Sequence, residues 1–224
     1  MIIRDLKIRL GTGVVKPGKM FLENIDLFVD YEKMRDDYLE VMSHALPNGW
    51  DDDAILNSMQ INLRGSEFFP NPLPYDGRRG LSLYEKMNND VTGEKIEKEM
   101  KEWYETASKS FLFWHDKIPE YTRQIIEKLA EQEKIEPLLR VRYLCQGPGR
   151  GLTIHKDPRV RYHFVIETNP GALFFNVLDC GPTVEHNLCP YHLPVANHFV
   201  KVDTTQQHFV YNAGTEPRIH LVIS

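Results

Sequence analysis

The periodicity of apolar residues changes near residue 137, and this change constrains the fold more than any other feature of the sequence. From Leu138 onward, apolar and polar residues alternate in short segments rich in β-branched and aromatic side chains, which predicts β-strands. The predicted strands are 139–145, 160–167, 172–178, 198–202, 206–211 and 218–223. Clusters of glycine, proline and asparagine separate them, as is typical of an antiparallel sandwich or barrel. The C-terminal part is therefore predicted to be mainly β.

Helical periodicity marks three segments before residue 137, each with an apolar stripe and a charged opposite face. The stripes consist of Tyr31, Met34, Tyr38, Leu39 and Met42; of Ile96, Met100, Trp103, Tyr104 and Ala107; and of Tyr121, Ile125, Ile126 and Leu129. Pro119 suits the first turn of the third helix, and Pro47 with Gly49 would end the first. Segments 2–10 and 58–63 are candidate additional strands. Segment 65–80 is predicted to be a long loop and is a candidate lid.

We expect a single domain, residues 1–224, in which a helix-rich part, 1–137, packs on a core formed by the strands of 138–224. With 42% hydrophobic and 26% charged residues, the 224-residue chain has the composition of a globular protein. Its net charge of -5 argues against a nucleic-acid partner.

Neither a membrane span nor a secretory signal is predicted. The apolar runs fall far short of the roughly 20 residues that cross a bilayer, and the first ten residues interleave charges with apolar side chains. The cysteines, Cys145, Cys180 and Cys189, show no paired spacing and are expected to be reduced thiols. These features predict a cytoplasmic protein.

Histidines concentrate in the strand-rich part, which holds seven of the nine. His155 and Asp157 stand at i and i+2, so an extended backbone projects both side chains from the same face. His208, in a later predicted strand, supplies a third ligand. Two imidazoles and one carboxylate on one face of an octahedral ion form the facial triad of non-haem Fe(II) oxygenases. The alternative is a chance His-x-Asp pair, with His208 a packed polar residue.

Arg218, at the start of the last predicted strand, strengthens the hypothesis of an iron site. Turn residues precede it, so the chain can fold back toward His208. A guanidinium binds a carboxylate through a planar fork that lysine cannot reproduce, which suits the distal carboxylate of 2-oxoglutarate. Arg161 and His163, again at i and i+2, are expected to add a second polar contact. The alternative for this pair is a surface arginine and a core histidine.

Other patterns are weaker. The glycine-rich segment 147–151 lacks the ending of a phosphate loop and is predicted to be a turn, and the acidic run 51–53 lacks the ligand pattern of a calcium loop. His186, His192 and His198, with Cys189 among them, fit no common zinc spacing and are expected in a loop near the active site. Aromatic residues could form the walls of a dry pocket or belong to the core; they are Phe164, Phe174, Phe175, Phe199 and Phe209.

The chain from His155 to Ser224 resembles the Fe(II)/2-oxoglutarate-dependent oxygenases, and within them the aspartyl/asparaginyl β-hydroxylase-like group. The resemblance is carried by His155-Lys156-Asp157, Arg161-Tyr162-His163, His208 and the ending Pro217-Arg218-Ile219-His220-Leu221-Val222, in the family's order. It implies a fold that is mainly β with flanking helices around a double-stranded β-helix, a jelly-roll, cupin-like core.

The same resemblance implies a set of cofactors and their residues. His155, Asp157 and His208 would bind Fe(II), Arg218 would hold the distal carboxylate of 2-oxoglutarate, and Arg161 with His163 would line the cosubstrate pocket. O2 would be the third reactant. Tyr143 is the candidate for the hydroxyl that often accompanies the arginine.

A hydroxylase is the activity that the resemblance implies. It would act on an unactivated C–H bond of an Asp, Asn or other amino-acid side chain, in a peptide, protein or small amino-acid-like substrate. Some members of the group lack the carboxylate ligand, as iron halogenases do, so Asp157 favours hydroxylation. A cupin-like metal-binding isomerase and a non-catalytic jelly-roll binding module remain open. Arg218 discriminates among them, because an enzyme without an oxo-acid cosubstrate does not need a carboxylate fork.

Overall fold

The computed structural model describes residues 21–45, 60–65, 113–136, 138, 140–152, 154–178 and 187–224. These residues form two helices, α1 (Tyr31–Ala45) and α2 (Glu120–Glu133). They also form the strands β1 (Leu22–Asn24), β2 (Gln60–Asn62), β3 (Arg64–Gly65), β4 (Phe113–Trp114), β5 (Val141–Gln146), β6 (Arg161–Glu167), β7 (Ala172–Leu178), β8 (Asn187–His192), β9 (Val200–Val202), β10 (His208–Asn212) and β11 (Arg218–Ile223).

A large antiparallel sheet has the strand order β1-β9-β6-β11-β5-β2. Its strands β5 and β11 are buried at every position, because both faces of the sheet are covered. On β11, Ile219 and Leu221 pack in an apolar cluster on one face. Arg218 and His220 alternate with them and are buried on the other face. This second face carries the polar groups of the candidate site.

A small antiparallel sheet, with the order β10-β7-β8, faces the large one. Gly151 and His155 extend it beyond β10, since Gly151 pairs with Tyr211 and His155 pairs with His208. Buried residues of both sheets pack between them in one cluster, among them Val165, Phe174, Val200, Val202 and Val210. From β5 to β11 the chain passes back and forth between the sheets. This arrangement is a jelly roll, which confirms the expected fold class.

The helices cover the outer face of the large sheet. Met34 and Tyr38 of α1 and Ile126 of α2 belong to the same buried cluster as Tyr143 and Phe164 of the sheet. The first and third predicted helices are thus confirmed. Pro119 is the residue immediately before α2 rather than part of its first turn. In the described part of the chain, no helix is both long and apolar enough to cross a membrane.

The carboxylate of Asp37, on α1, takes the capping role that Pro119 cannot fill. Asp37 Oδ2 accepts hydrogen bonds from the backbone N–H of Thr122 (2.9 Å) and from its hydroxyl (2.6 Å). We expect Asp37→Ala to lower the free energy of unfolding by about 1–3 kcal/mol. It leaves the backbone N–H of Thr122 without this acceptor and its hydroxyl with only the weak acceptor Met34 Sδ. Chemical denaturation measures the loss. The exposed neighbour gives the control Asp36→Ala, and equal effects of the two variants would contradict the prediction.

Most predicted strands are confirmed, two of them, 172–178 and 218–223, with the same bounds. The prediction of a loop around His192 is wrong, because 187–192 is strand β8. The short strands β1, β3 and β4 were not predicted. Several predictions lie outside the described residues: the helix around 96–107, the strand at 2–10, the helix end at Pro47 and Gly49, the loop 65–80 beyond Gly65, the acidic run 51–53, Cys180 and His186.

Candidate metal centre and its buried pocket

His155, Asp157 and His208 come together at one end of the small sheet. His155 and His208 pair through two backbone hydrogen bonds of 3.0 and 2.9 Å, and their ring centroids lie 4.4 Å apart. The backbone N–H of Asp157 donates a hydrogen bond to the carbonyl oxygen of Thr204 at 2.8 Å, which holds the backbone of Asp157 in place. One potential ligand atom from each of the three residues lies within 4.8 Å of the others. The structure thus brings the predicted triad together.

Hydrogen bonding prepares His208 as a ligand. Its Nδ1 lies 2.9 Å from the carbonyl oxygen of Gln206, so Nδ1 carries the proton and donates. The lone pair of Nε2 is left free and lies 3.5 Å from Asp157 Oδ2. Burial lowers the pKa of His208, which favours the neutral imidazole that binds metals.

The two carboxylate oxygens of Asp157 have different surroundings. Oδ1 accepts a hydrogen bond from the Arg161 guanidinium. Oδ2 is buried without a hydrogen-bond partner in the described chain and lies 3.9 Å from Nε2 of His155. An unsatisfied carboxylate oxygen facing two imidazole nitrogens fits a divalent ion such as Fe(II). Arg161 therefore lies against the carboxylate of the triad, and its expected contact with a cosubstrate stays a prediction.

Arg218 is buried between the sheets at 1% exposure. Its guanidinium donates to Gln146 Oε1 (3.1 Å) and to His220 Nδ1 (2.9 Å), and its central carbon lies 4.9 Å from the ring centroid of Phe174. No carboxylate among the described residues pairs with it. Burial lowers the pKa of Arg218 to about 9, so the group remains charged at neutral pH. A buried guanidinium with no counter-ion in the described part of the chain indicates a site for an anion.

The neighbours of Arg218 present further donors. Because a guanidinium only donates, the atoms it contacts must accept, which leaves Gln146 Nε2–H and His220 Nε2–H as donors. Both nitrogens are buried without a partner among the described residues. The guanidinium and the two side chains in contact with it, a buried amide and a neutral imidazole, are then all donors, and such a set suits a carboxylate.

His163 lies beside this pocket, as the i, i+2 spacing from Arg161 predicts. Its Nδ1 is 3.4 Å from Nδ1 of His220, and its ring packs edge-on against Phe174 at 5.1 Å. Burial first, and the charge of Arg218 second, hold the pKa of His163 well below its usual value. His163 therefore stays neutral, and its contact with a cosubstrate remains a prediction.

The prediction that the hydroxyl of Tyr143 accompanies Arg218 is wrong. Tyr143 pairs with Leu221 on β11 and belongs to the helix-side cluster, where its ring contacts Tyr38 at 5.0 Å. Its side chain thus lies on the opposite face of the sheet from Arg218. Gln146, which pairs directly with Arg218, occupies the position beside the guanidinium.

Among the five phenylalanines considered as pocket walls, Phe174 lies against Arg218. Phe164 and Phe199 pack together in the helix-side cluster at 5.5 Å. Phe175 and Phe209 stack on each other at 4.5 Å, one position along their strands from the inward-facing residues. The core interpretation therefore applies to Phe164 and Phe199.

The family model for aspartyl/asparaginyl β-hydroxylase matches residues 88–224, more than half of the chain and every strand from β5 to β11. The chain belongs to the aspartyl/asparaginyl β-hydroxylase family. Membership makes it a 2-oxoglutarate-dependent hydroxylase among the non-haem iron oxygenases, as the resemblance implied.

Distant solved structures are also similar to this hydroxylase. A Pseudomonas putida prolyl-4-hydroxylase is 13% identical over 90% of each chain, with a TM-score of 0.45. The collagen prolyl hydroxylase of Paramecium Bursaria Chlorella virus-1 is 10% identical over 92% of this chain and 96% of that one, with a TM-score of 0.42. A Burkholderia pseudomallei 2OG-Fe(II) oxygenase family oxidoreductase is 13% identical, with a TM-score of 0.36; the match covers 49% of this chain and only 59% of that one.

No curated protein matches the sequence. The assignment to the family rests on the match to the family model over residues 88–224.

The buried His220 makes the stability of the hydroxylase depend on pH. Burial, with the charge of Arg218 beside it, holds the pKa of His220 well below its usual value, so the folded protein keeps this imidazole neutral. The unfolded chain binds the proton below about pH 6.5, and the free energy of unfolding therefore falls as the pH falls through that value. We expect His220→Gln to make this dependence shallower by up to about 1.4 kcal/mol per pH unit. Denaturation curves at a series of pH values measure it, and parallel profiles would contradict it.

Proposed function

We propose that the protein hydroxylates an amino-acid side chain of a peptide or protein, such as Asp or Asn, with Fe(II) held by His155, Asp157 and His208. Arg218 would bind the distal carboxylate of 2-oxoglutarate. The observation that carries this proposal is that three potential ligand atoms within 4.8 Å of one another and a buried guanidinium that no described carboxylate neutralises lie near the same ring, Phe174. The centroid of that ring is 6.5 Å from the His208 centroid and 4.9 Å from the guanidinium carbon.

The residues around the metal would each have a separate task. When bound, Fe(II) and 2-oxoglutarate supply the chemistry that reduces O2, inserts one oxygen atom into a C–H bond and releases succinate and carbon dioxide. Arg161 would keep Asp157 oriented, and the Gln206 carbonyl would keep the His208 proton on Nδ1. Gln146 and His220 would donate to the same carboxylate as Arg218. Phe174 would exclude water from that contact.

The second polar contact with the cosubstrate, which the sequence predicts for Arg161 and His163, remains part of the proposal in a modified form. Arg161 donates through one terminal nitrogen to Asp157, a proposed metal ligand, so it would donate to the cosubstrate through its other terminal nitrogen. His163 would contribute a neutral imidazole next to Phe174. The presence of Asp157 supports hydroxylation over halogenation, because the carboxylate occupies the position that a halide would need.

The proposal extends to the organisation and location of the chain. We treat residues 1–224 as one oxygenase domain, in which 1–137 packs on the strands of 138–224. Support comes from α1, α2 and the large sheet, which share one buried cluster. The cytoplasmic location expected from the sequence is part of the same proposal.

A hydroxylation assay tests the function. The protein is incubated with Fe(II), 2-oxoglutarate, O2 and a library of short peptides, and mass spectrometry detects peptides that gain one oxygen atom together with equimolar succinate. We expect products that require 2-oxoglutarate and disappear in His155→Ala. Full activity of His155→Ala would show that the metal assignment is wrong. A cupin-like isomerase or a binding module would give neither succinate nor oxygenated peptide.

A further inference from the structure

Asn176 lies next to the candidate metal site but has no role in the function proposed above. It stands directly opposite His208 in the pairing of β7 with β10, where opposed Cβ atoms lie about 4.5–5.5 Å apart. Phe174, two residues earlier on the same face, contacts Arg218. Asn176 therefore lies two residues further along β7, opposite the proposed metal ligand His208 rather than beside Arg218. A molecule bound beside the metal comes within reach of its side chain.

A chain of hydrogen bonds fixes the orientation of the Asn176 amide. The Asp203 carboxylate accepts a hydrogen bond from Gln206 Nε2 at 3.0 Å, and a carboxylate can only accept. Gln206 must therefore turn Oε1 toward Asn176, whose Nδ2 donates to it at 3.2 Å. Because Asn176 uses its N–H group in this way, the atom left over is Oδ1, an acceptor.

Asn176 Oδ1 is buried and lacks a hydrogen-bond donor in the described part of the chain, and the residue is 4% exposed. Buried acceptors without a donor are unfavourable and uncommon, so this atom indicates a ligand that donates. At neutral pH 2-oxoglutarate carries acceptors alone, so it cannot donate to Oδ1. The proposed Fe(II) is held by His155, Asp157 and His208, so the group that meets Oδ1 is a separate donor.

We propose that Asn176 Oδ1 accepts a hydrogen bond from a backbone amide N–H of a peptide substrate and thereby positions that substrate beside the metal. The inference rests on the proposed function and assigns the residue that recognises the backbone of its peptide substrate. Asn176 Oδ1 is a neutral acceptor. Burying the charged ammonium group of a free amino acid against it costs more than burying an uncharged amide N–H.

The test compares amides with esters. The probes are N-acetyl amino-acid N-methylamides covering all side chains, each matched with analogues in which oxygen replaces one of the two amide N–H groups. Affinity is read from the change that each probe causes in the visible charge-transfer band of the anaerobic complex with Fe(II) and 2-oxoglutarate. For the parent we expect replacement of the recognised N–H to weaken binding roughly tenfold. Free amino acids should bind more weakly than the blocked amides.

Asn176→Leu removes the acceptor at nearly constant size. We expect it to bind the amide about as weakly as the parent binds the ester, with no further loss for the ester, so that the preference disappears. Gln206→Met leaves Asn176 in place but removes the group that orients it, and should reduce the preference in part. This second variant decides the question if Asn176→Leu does not fold. Asn197→Leu, on an exposed loop, is the matched control and should keep the full preference.

The outcomes separate this inference from the proposed function. An unchanged preference in Asn176→Leu would contradict the inference, and so would tighter binding of free amino acids than of blocked amides. If the parent forms the charge-transfer band but binds no member of the panel, the inference is wrong while the cosubstrate assignment stands. If the parent forms no band with bound Fe(II), the proposed function itself fails, and the inference falls with it.

Discussion

Arg218→Met should lower the affinity for 2-oxoglutarate by roughly 100-fold or more while the protein stays folded. Loss of one partner from a buried charge pair costs about 3–5 kcal/mol, because the carboxylate would then be buried without its counter-charge. In the protein without cosubstrate, Arg218 is itself a buried charge that no described carboxylate neutralises. Removing that charge offsets the loss of its hydrogen bonds to Gln146 and His220.

Calorimetry with 2-oxoglutarate and denaturation experiments measure the two effects separately. Arg123→Met is a suitable control, because Arg123 of α2 donates hydrogen bonds to the backbone carbonyls of Ile118 and His115 on the helix side of the protein. It should lower the free energy of unfolding and leave the affinity for 2-oxoglutarate unchanged. If Arg218→Met binds 2-oxoglutarate like the parent, the assignment of this pocket is wrong.

Asp157→Ala should weaken Fe(II) binding by more than about 100-fold and reduce hydroxylation to background. The substitution removes the carboxylate between His155 and His208, and it also leaves the guanidinium of Arg161 without its partner beside the metal. The positive charge of Arg161 then repels the ion, so the loss should exceed that of one ligand alone.

The double variant Asp157→Ala/Arg161→Met isolates this repulsion. It should bind Fe(II) more tightly than Asp157→Ala, although less tightly than the parent. Asp116→Ala, at an exposed carboxylate, is the control and should bind Fe(II) as the parent does. Anaerobic calorimetry with Fe(II) measures all four proteins. Equal affinities of Asp157→Ala and the parent would remove Asp157 from the metal site.

Local patterns were sufficient to predict the main strands and to single out His155, Asp157 and His208, which the structure brings together. His155 and Asp157 are two residues apart, and His208 lies in a segment with clear alternation, so neither depends on knowing which strands pair. The strands β7 and β11 have strong period-two patterns and were predicted with their observed bounds. β8 was missed because Pro190 interrupts its pattern and proline is unfavourable within a strand.

The residues that complete the pocket could not be predicted in the same way. Gln146 is an ordinary polar residue at the end of a strand until the pairing of β5 with β11 places it opposite Arg218. The same pairing puts Tyr143 on the other face of the sheet. The orientation of the Asn176 amide depends on Gln206 and Asp203, which lie in a turn far along the chain. Alternation on β11 does place His220 on the same face as Arg218, and this signal was available in the sequence.

The proposed function requires that one space between the sheets holds both Fe(II) and 2-oxoglutarate. Anaerobic titration of the protein with Fe(II) and then 2-oxoglutarate, followed by visible absorption, tests it most directly. We expect the weak metal-to-ligand charge-transfer band of a chelated 2-oxo acid in the parent, and its loss at the same cosubstrate concentration in Arg218→Met. Stoichiometric binding of Fe(II) with no band on adding 2-oxoglutarate would contradict the claim and favour a cupin-like metal protein.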